Sequence, residues 1–295
     1  MVNWMYWDLS CEVVEEGQNL GTQLSSSPAR TGTPGLDVFK IAGRSISGFL
    51  HSLKTGDSRQ TRMPYTTTLE LRLGLFLEYH PHVRSYQRGD ASEAFVQAHH
   101  IAVPLSTPYA IGYFYEGNAH TYLPDFVGTL CDGGLLIAEA GRQEEKSRGQ
   151  ALAKAEAARR LAQIKGGVYW LGTDENLSEL RYQNLLYLHA RRQGFSTYEK
   201  IAATILADWP RGEPHSVDEF VQRFGSHWSA VEVEAAVWKI VGDAAAEGGL
   251  LVNLAEVPLF LSTPLALLDK SLPPILPDSG SRHFYLPESP LSLVS

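Results

Sequence analysis

Two carboxylates in the middle of the chain have the types and the spacing of a metal site. Asp125 lies in the run Tyr122 to Phe126, and Glu139 follows fourteen residues later in an otherwise apolar run. Carboxylates near the ends of adjacent strands can converge on one divalent cation, and hard oxygen ligands suit Mg²⁺. Such an ion activates water and stabilises the charge that builds on a phosphate under attack.

Each carboxylate also has an ordinary structural explanation. Asp125 follows a proline, and an aspartate in that position is typical of a turn residue that binds its own backbone. Glu139 would be costly to bury as an unpaired charge, so it requires either a metal ion or a basic partner. The residues alone leave both possibilities open. A third carboxylate, Glu70, lies in a predicted helix from which it can reach the same site.

The elements around these carboxylates predict an α/β core. Runs rich in β-branched and aromatic residues predict strands over 83–87, 94–103, 109–115, 120–130, 135–140 and 168–171. Apolar residues at helical spacing predict helices over 67–79, 145–165 and 176–192, the first with a threonine N-cap and the second ended by two glycines. We expect a mixed sheet flanked by helices.

Changes in composition predict four segments. Residues 1–35 are rich in Gly, Ser, Thr and Pro and predict a flexible lead-in, and the α/β core occupies 36–194. Residues 195–270 predict helices over 197–206, 217–224 and 230–246, followed by strand-like runs over 250–254 and 258–262. That order is typical of an α+β winged-helix domain. Residues 271–295 are Pro/Ser-rich and predict an extended tail.

Charge is distributed unevenly along a chain whose net charge is -8. Residues 195–295 hold 13 acidic and 6 basic residues, which leaves residues 1–194 almost neutral. Within that first part, residues 30–72 hold seven Lys/Arg against three acids. A local basic patch predicts that the first half of the chain meets DNA, with ordinary surface charge as the alternative.

Several classes of protein are disfavoured. No run of about 20 apolar residues predicts a membrane span, and the first residues lack the pattern of a signal peptide. The two cysteines, Cys11 and Cys131, offer neither a disulfide framework nor a zinc site, so we expect a reducing cytoplasm. The pairs His80/His82 and His99/His100 are expected to serve at the surface or in packing rather than as metal ligands.

The order of motifs resembles the TnsA endonuclease subunit of heteromeric transposons, a member of the restriction-endonuclease-like PD-(D/E)xK group. The similar segments are Ile41 to Arg44 with Phe49 to Lys54, Thr67 to Glu70, Pro81 to Gln87, Tyr122 to Phe126, and Leu180 to His189. The family's usual Gln-Pro is Gln87-Arg88 in this sequence.

This resemblance implies a restriction-endonuclease-like fold and Mg²⁺- or Mn²⁺-dependent hydrolysis of DNA at transposon 5′ ends. It implies Glu70, Asp125 and Glu139 as metal-binding and catalytic carboxylates. The implied partners are double-stranded DNA, a DDE-type transposase (TnsB-like) and, through the winged-helix-like domain, an AAA+ ATPase (TnsC-like). The residues that we expect to contact DNA are Arg44, Lys54, Arg62, Gln87 and Arg142.

One position departs from the family pattern, because Glu139-Ala140-Gly141 stands where Glu/Gln-x-Lys is expected. The lysine is thought to orient the attacking water and to steady developing negative charge. A cation from elsewhere can replace it: Arg142 can hold phosphate but not accept a proton, whereas Lys146 or Lys154 can reach from the following helix. For Lys154 we favour a solvated helix-face charge.

Two further explanations compete with a replacement cation. The metal alone can suffice at a reduced rate, or the domain is an inactive scaffold that binds DNA and transposition partners. A third reading of the whole chain is a stand-alone defence nuclease of the same fold.

Overall fold

The computed structural model describes residues 38–268, apart from 41–45, 55–61, 90–108, 147 and 193–195. The predictions for residues 1–35, 94–103 and 271–295 lie outside the described residues, as do those for Arg44, Cys11, His99 and His100.

The centre of the fold is a mixed four-stranded sheet with the order β4-β7-β8-β9. Its strands are β4 (Val83–Arg88), β7 (Phe126–Leu130), β8 (Leu135–Gly141) and β9 (Val168–Thr173). Strands β4, β7 and β8 pair antiparallel, whereas β9 pairs parallel with β8. A parallel pair needs a crossover connection, and here that connection is helical.

Two smaller sheets accompany the central one. The first is antiparallel and consists of β1 (Val38–Lys40), β2 (Ile46–His51) and β3 (Arg62–Tyr65). The second is a hairpin of β5 (Ile111–Tyr115) and β6 (Asn118–Tyr122), closed by a turn at Glu116 and Gly117, both with positive φ. This hairpin joins strands predicted over 109–115 and 120–130, whereas the three strands before residue 66 were not predicted.

Seven helices lie among the described residues. They are α1 (Thr68–Glu78), α2 (Gln143–Lys146), α3 (Gly149–Ile164), α4 (Glu179–Arg192), α5 (Ser196–Asp208), α6 (Val217–Phe224) and α7 (Ala230–Glu247). Thr67 caps α1 by accepting a hydrogen bond from Glu70 N, as expected for a threonine at that position. In the described part of the chain, no helix has the length and apolar character to cross a bilayer.

Both faces of the central sheet are covered. Successive side chains of a strand point to opposite faces, and these strands carry apolar residues on both. Leu136 and Ala138 belong to the main core with the leucines of α1. Ile137 and Tyr169 belong to a second core, which includes Ala158 of α3. The α/β architecture with a mixed sheet between helices is therefore as expected from the sequence.

Two predicted elements are interrupted at positions that matter for the site. The strand predicted over 120–130 is two strands, β6 and β7, because Leu123-Pro124-Asp125 breaks it and Pro124 has no amide hydrogen to donate. The helix predicted over 145–165 is likewise two helices, α2 and α3. Both breaks place charged side chains beside the end of β8.

In the carboxy-terminal part, the three predicted helices are present but the predicted hairpin is wrong. Neither 250–254 nor 258–262 forms a strand; these residues are turns and loops, and in the described part of the chain only isolated bridges join Leu250 to Leu267 and His215 to Leu265. The side chain of Asn184, on α4, donates to Leu254 O and Val257 O and accepts from Leu259 N. A buried amide therefore satisfies backbone groups that a hairpin would have paired.

A buried ion pair fixes the carboxy-terminal end of α1. Glu78 is fully buried and lies 3.0 Å from Arg192 Nη1, at the end of α4. Arg192 also binds Asp243 of α7, at 2.9 Å. Ser52 donates to the second oxygen of Glu78 at 2.6 Å. This connection between α1, α4 and α7 was not predicted, because its partners are distant in sequence.

Candidate active site

Asp125 lies between β6 and β7, where the broken strand turns it toward the end of β8. Its Oδ2 accepts a hydrogen bond of 2.7 Å from Ala140 N, and its own carbonyl accepts from Gly89 N at 3.2 Å. Burial of the carboxyl raises the pKa of Asp125 to about 7, while Arg88 lowers it and Glu70 raises it. Asp125 is therefore not the simple self-capping turn residue that a Pro-Asp pair suggests.

Glu139 lies on β8, and only 8% of its side chain is exposed. Its Oε2 lies 2.9 Å from Lys146 Nζ, on α2. Its Oε1 is buried and has no hydrogen-bond partner among the described residues. From the sequence, this buried charge required either a metal ion or a basic partner. The structure shows a basic partner, Lys146, at one oxygen, and the other oxygen is unpaired within the described part of the chain.

Gly141 is the reason that Lys146 can reach Glu139. A Cβ built on Gly141 would lie well inside van der Waals contact with Lys146 Cε, and within 3.3 Å of Lys146 Cγ and Cδ. The side chain of Lys146 therefore occupies the space in which a side chain at position 141 would begin. The absence of a side chain at 141 and the path of Lys146 to Glu139 are thus linked by direct contact.

Glu70 is held by a different set of partners on α1. Its Oε2 lies 2.8 Å from Arg88 Nη1, and only 3% of the arginine side chain is exposed. Thr66 donates to Glu70 through its backbone N–H, at 2.7 Å, and through its hydroxyl, at 2.8 Å. Arg88 also lies 5.0 Å from the centre of the Phe126 ring. Both oxygens of Glu70 are thus engaged within the protein.

The three carboxylates do not form a compact cluster. Glu139 shares the α3-facing side of β8 with Ile137, whereas Glu70 belongs to α1 on the opposite face of the sheet. Within the part of the chain that the structure describes, no group of three His, Cys, Asp or Glu side chains is arranged to hold a metal ion. Asp125 binds the backbone of Ala140 at the end of β8, and the charges of both ion pairs influence its pKa: Glu70 raises it and Lys146 lowers it.

Two carboxylates nevertheless suit a Mg²⁺ ion. This ion is commonly bound through one or two carboxylates, with waters and substrate phosphates completing its octahedron. Asp125 Oδ2 accepts from the backbone N–H of Ala140, the residue after Glu139, so both carboxylates lie at the same end of β8. The unpaired Oε1 of Glu139 offers a buried anionic ligand, so this pair fits the ion, whereas Glu70 in this arrangement does not.

Lys154 differs from the solvated helix-face charge that we favoured. It is half-buried on α3, with its ammonium 5.5 Å from the Tyr122 ring centre and 5.8 Å from that of Tyr113. Tyr122 donates to Lys154 O at 3.2 Å. The reason is that α3 packs its lysine against the β5–β6 hairpin, where the cation contacts aromatic faces instead of Glu139.

The residues predicted to contact DNA have varied surroundings. Lys54 Nζ donates to His80 O at 2.6 Å, at the carboxy-terminal end of α1, so it serves as a helix cap far along α1 from Glu70. Arg62 is exposed on β3 and lies 5.9 Å from the Phe49 ring centre. Gln87 is half-buried on β4, and Arg142 is exposed immediately after β8. Only Arg142 directly adjoins the strand that carries Glu139.

Sequence reasoning missed two features of the site. Arg88 appeared only as a departure from the family's Gln-Pro, although a buried arginine beside a carboxylate motif is itself a signal. The second is the charge of residues 142–165, which hold seven Lys/Arg against three Glu. This cationic segment borders the site, whereas Arg72 of the predicted patch is paired with Glu179.

A comparison of the sequence with protein-family models and with curated proteins finds no match.

Proposed function

We propose that this chain is a Mg²⁺-dependent DNA endonuclease subunit of the TnsA kind, acting in the cytoplasm on transposon 5′ ends. The observation that carries the proposal is the path of Lys146 past Gly141 to Glu139, at 2.9 Å. It supplies a lysine beside the second motif carboxylate, which is the element that the motif otherwise lacks. The resemblance of the motif order supplies the biological setting.

Each side chain has a role under this proposal. Asp125 and Glu139 would hold the ion, which supplies Lewis-acid stabilisation and an activated water when bound. Lys146 Nζ stays near the carboxylate pair and steadies negative charge on the phosphate oxygens. Arg88 neutralises Glu70 and keeps that helix end in place beside Asp125. The cations of residues 142–165 bind the DNA backbone next to the site.

The partners follow from the same resemblance. We propose a DDE-type transposase (TnsB-like) that cuts the other strand, and an AAA+ ATPase (TnsC-like) bound by the helical carboxy-terminal part, residues 195–270. The acidic balance of residues 195–295, 13 acids against 6 basic residues, suits a basic protein surface rather than DNA.

The test is a lysine relocation. A plasmid carrying the terminal repeats of the encoding element is incubated with Mg²⁺ or Mn²⁺, the partner transposase and the full chain. We expect Lys146→Ala to lower 5′-end cleavage by about 10²- to 10³-fold, as for loss of one charge-stabilising donor. Adding Gly141→Lys to Lys146→Ala should restore much of it, because the lysine then occupies the family's position. Lys154→Ala is the matched control and should keep most of the activity.

The outcomes separate the candidate functions. Cleavage without any transposase would favour the stand-alone defence nuclease. Full activity of Asp125→Ala would refute the active-site assignment. The inactive scaffold has one observation in its favour, because Arg88 and Lys146 already neutralise Glu70 and Glu139 within the protein. That alternative predicts normal DNA and partner binding with no cleavage by the wild type.

A further inference from the structure

Two buried polar atoms next to the candidate site lack partners among the described residues. One is Oε1 of Glu139, and the other is the hydroxyl of Tyr169 on β9. Tyr169 is only 3% exposed. A buried donor or acceptor without a partner is rare in native proteins, so each such atom requires an explanation.

The sheet register places these two atoms in the same region. In the parallel pair of β8 and β9, Tyr169 lies opposite Ile137, and Glu139 follows Ile137 on the same face. The pKa of Tyr169 is raised well above its ordinary value, first by burial and then by Glu139 and Asp125. The tyrosine hydroxyl therefore lies within electrostatic reach of both carboxylates.

The two atoms are chemically complementary. A phenol carries one O–H donor, and an ionised carboxylate only accepts. The other oxygen of Glu139 is already bound by Lys146, at 2.9 Å. The neighbouring Tyr122 also lies near Glu139, because burial and then this carboxylate raise its pKa, but its hydroxyl donates to Lys154 O at 3.2 Å. Of these two tyrosines, Tyr169 is the one whose hydrogen bond is unaccounted for.

We propose that Tyr169 is a positioning residue for Glu139. Its hydroxyl donates to Oε1 through one bridging water, while Lys146 holds Oε2. The carboxylate is thereby fixed from two sides in the orientation in which it shares a ligand with Asp125. This inference rests on the proposed metal site, since hydrogen bonds from outer groups orient metal-binding carboxylates and tune their affinity.

The test compares Tyr169→Phe with Tyr65→Phe, which is a matched control. Tyr65 is also buried, on β3, and its hydroxyl likewise has no hydrogen-bond partner among the described residues. Both variants keep the ring and delete one buried hydroxyl. Binding of Mn²⁺ to the full chain without DNA is measured by calorimetry. We expect Tyr169→Phe to weaken it by about 10- to 100-fold and Tyr65→Phe to leave it unchanged.

A metal-independent measurement decides the positioning role by itself. Urea unfolding of Tyr169→Phe, Glu139→Gln and the double variant forms a cycle. We expect the double variant to deviate from the product of the single effects by at least about three-fold in the unfolding equilibrium constant. The same cycle with Tyr65→Phe should show no deviation.

The failures are distinguishable. Additive effects of Tyr169→Phe and Glu139→Gln would overturn the inference, whatever the chain does to DNA. Equal Mn²⁺ affinity of wild type and Tyr169→Phe would overturn it as well. A wild-type chain that binds Mn²⁺ and shows the coupling, but cuts no DNA, would refute the proposed function and leave the role of Tyr169 standing.

Discussion

Replacing Gly141 by alanine perturbs the candidate site without altering any charged group. The new Cβ would collide with Lys146 Cε, so the end of that side chain must shift, and we expect its ammonium to move away from Glu139, which now lies 2.9 Å from it. An uncompensated buried carboxylate costs about 1–3 kcal/mol. Alanine also restricts the unfolded chain more than glycine does, which offsets about 0.4–1 kcal/mol of this cost. The gain is available because Gly141 does not have a positive φ, so alanine can adopt its backbone conformation. We therefore expect a net destabilisation of about 1–2 kcal/mol.

The assay is urea unfolding at pH 8 of five proteins, which are the wild type, Gly141→Ala, Gly112→Ala, Lys146→Ala and the double variant Gly141→Ala/Lys146→Ala. Gly112→Ala is the control, because Gly112 also lies in a strand and a Cβ there meets nothing within 4 Å. It should be neutral or slightly stabilising. In a Lys146→Ala background, Gly141→Ala should also be neutral or stabilising, since the atoms that it displaces are gone.

The reasoning fails if Gly141→Ala destabilises the Lys146→Ala background as much as the wild type. The cost would then come from the strand itself and not from the lysine. Like Lys146→Ala, the single variant Gly141→Ala should lower the rate of DNA cleavage, because both substitutions remove the ammonium from Glu139.

Three further predictions concern charge and packing. Folding raises the pKa of Asp125 to about 7, so the contribution of its protonated form to the free energy of unfolding is fully present below about pH 4 and is lost as pH rises toward 7. In urea unfolding, Asp125→Asn should therefore gain stability relative to the wild type between pH 5 and 8. A difference in stability between the two proteins that does not change with pH would contradict this. Arg192→Met leaves the buried Glu78 without its cation and should cost about 3 kcal/mol, whereas the exposed Arg223→Met should cost less than about 1 kcal/mol by thermal unfolding. Asn184→Ala removes three bonds to the turns after α7 and should cost about 2–3 kcal/mol, with faster exchange of the Leu259 amide; slow exchange there would refute that role.

Local patterns predicted the elements that carry the site. The leucines of α1, its threonine cap and the apolar run of β8 each have a strong local signal, and Glu70, Asp125 and Glu139 were identified from it. Their partners were not all predictable. Arg88 pairs with Glu70 across eighteen positions, and such pairing depends on how β4 lies beside α1. Lys146 was one of two lysines predicted to be able to reach Glu139. The break between α2 and α3 determines that Lys146, and not Lys154, contacts it.

The carboxy-terminal hairpin was predicted from the apolar pattern of residues 250–262, and that pattern was misleading. The same spacing of apolar residues also suits turns whose side chains fill the space beside α4. Asn184 decides between the two, because one amide satisfies three backbone groups that are 70–75 positions away in sequence. No local window contains both the amide and its acceptors.

The contact between Gly141 and Lys146 couples the two positions. A side chain at 141 and the present path of Lys146 require the same space, so Lys146 must take another path if position 141 carries a side chain. A search pattern that demands Glu-x-Lys passes over this arrangement. The structure defines a second pattern, Glu-x-Gly followed by a lysine five residues after the glycine, with a helix break behind it. Nuclease-like sequences set aside as inactive for want of the motif lysine can be re-examined with it.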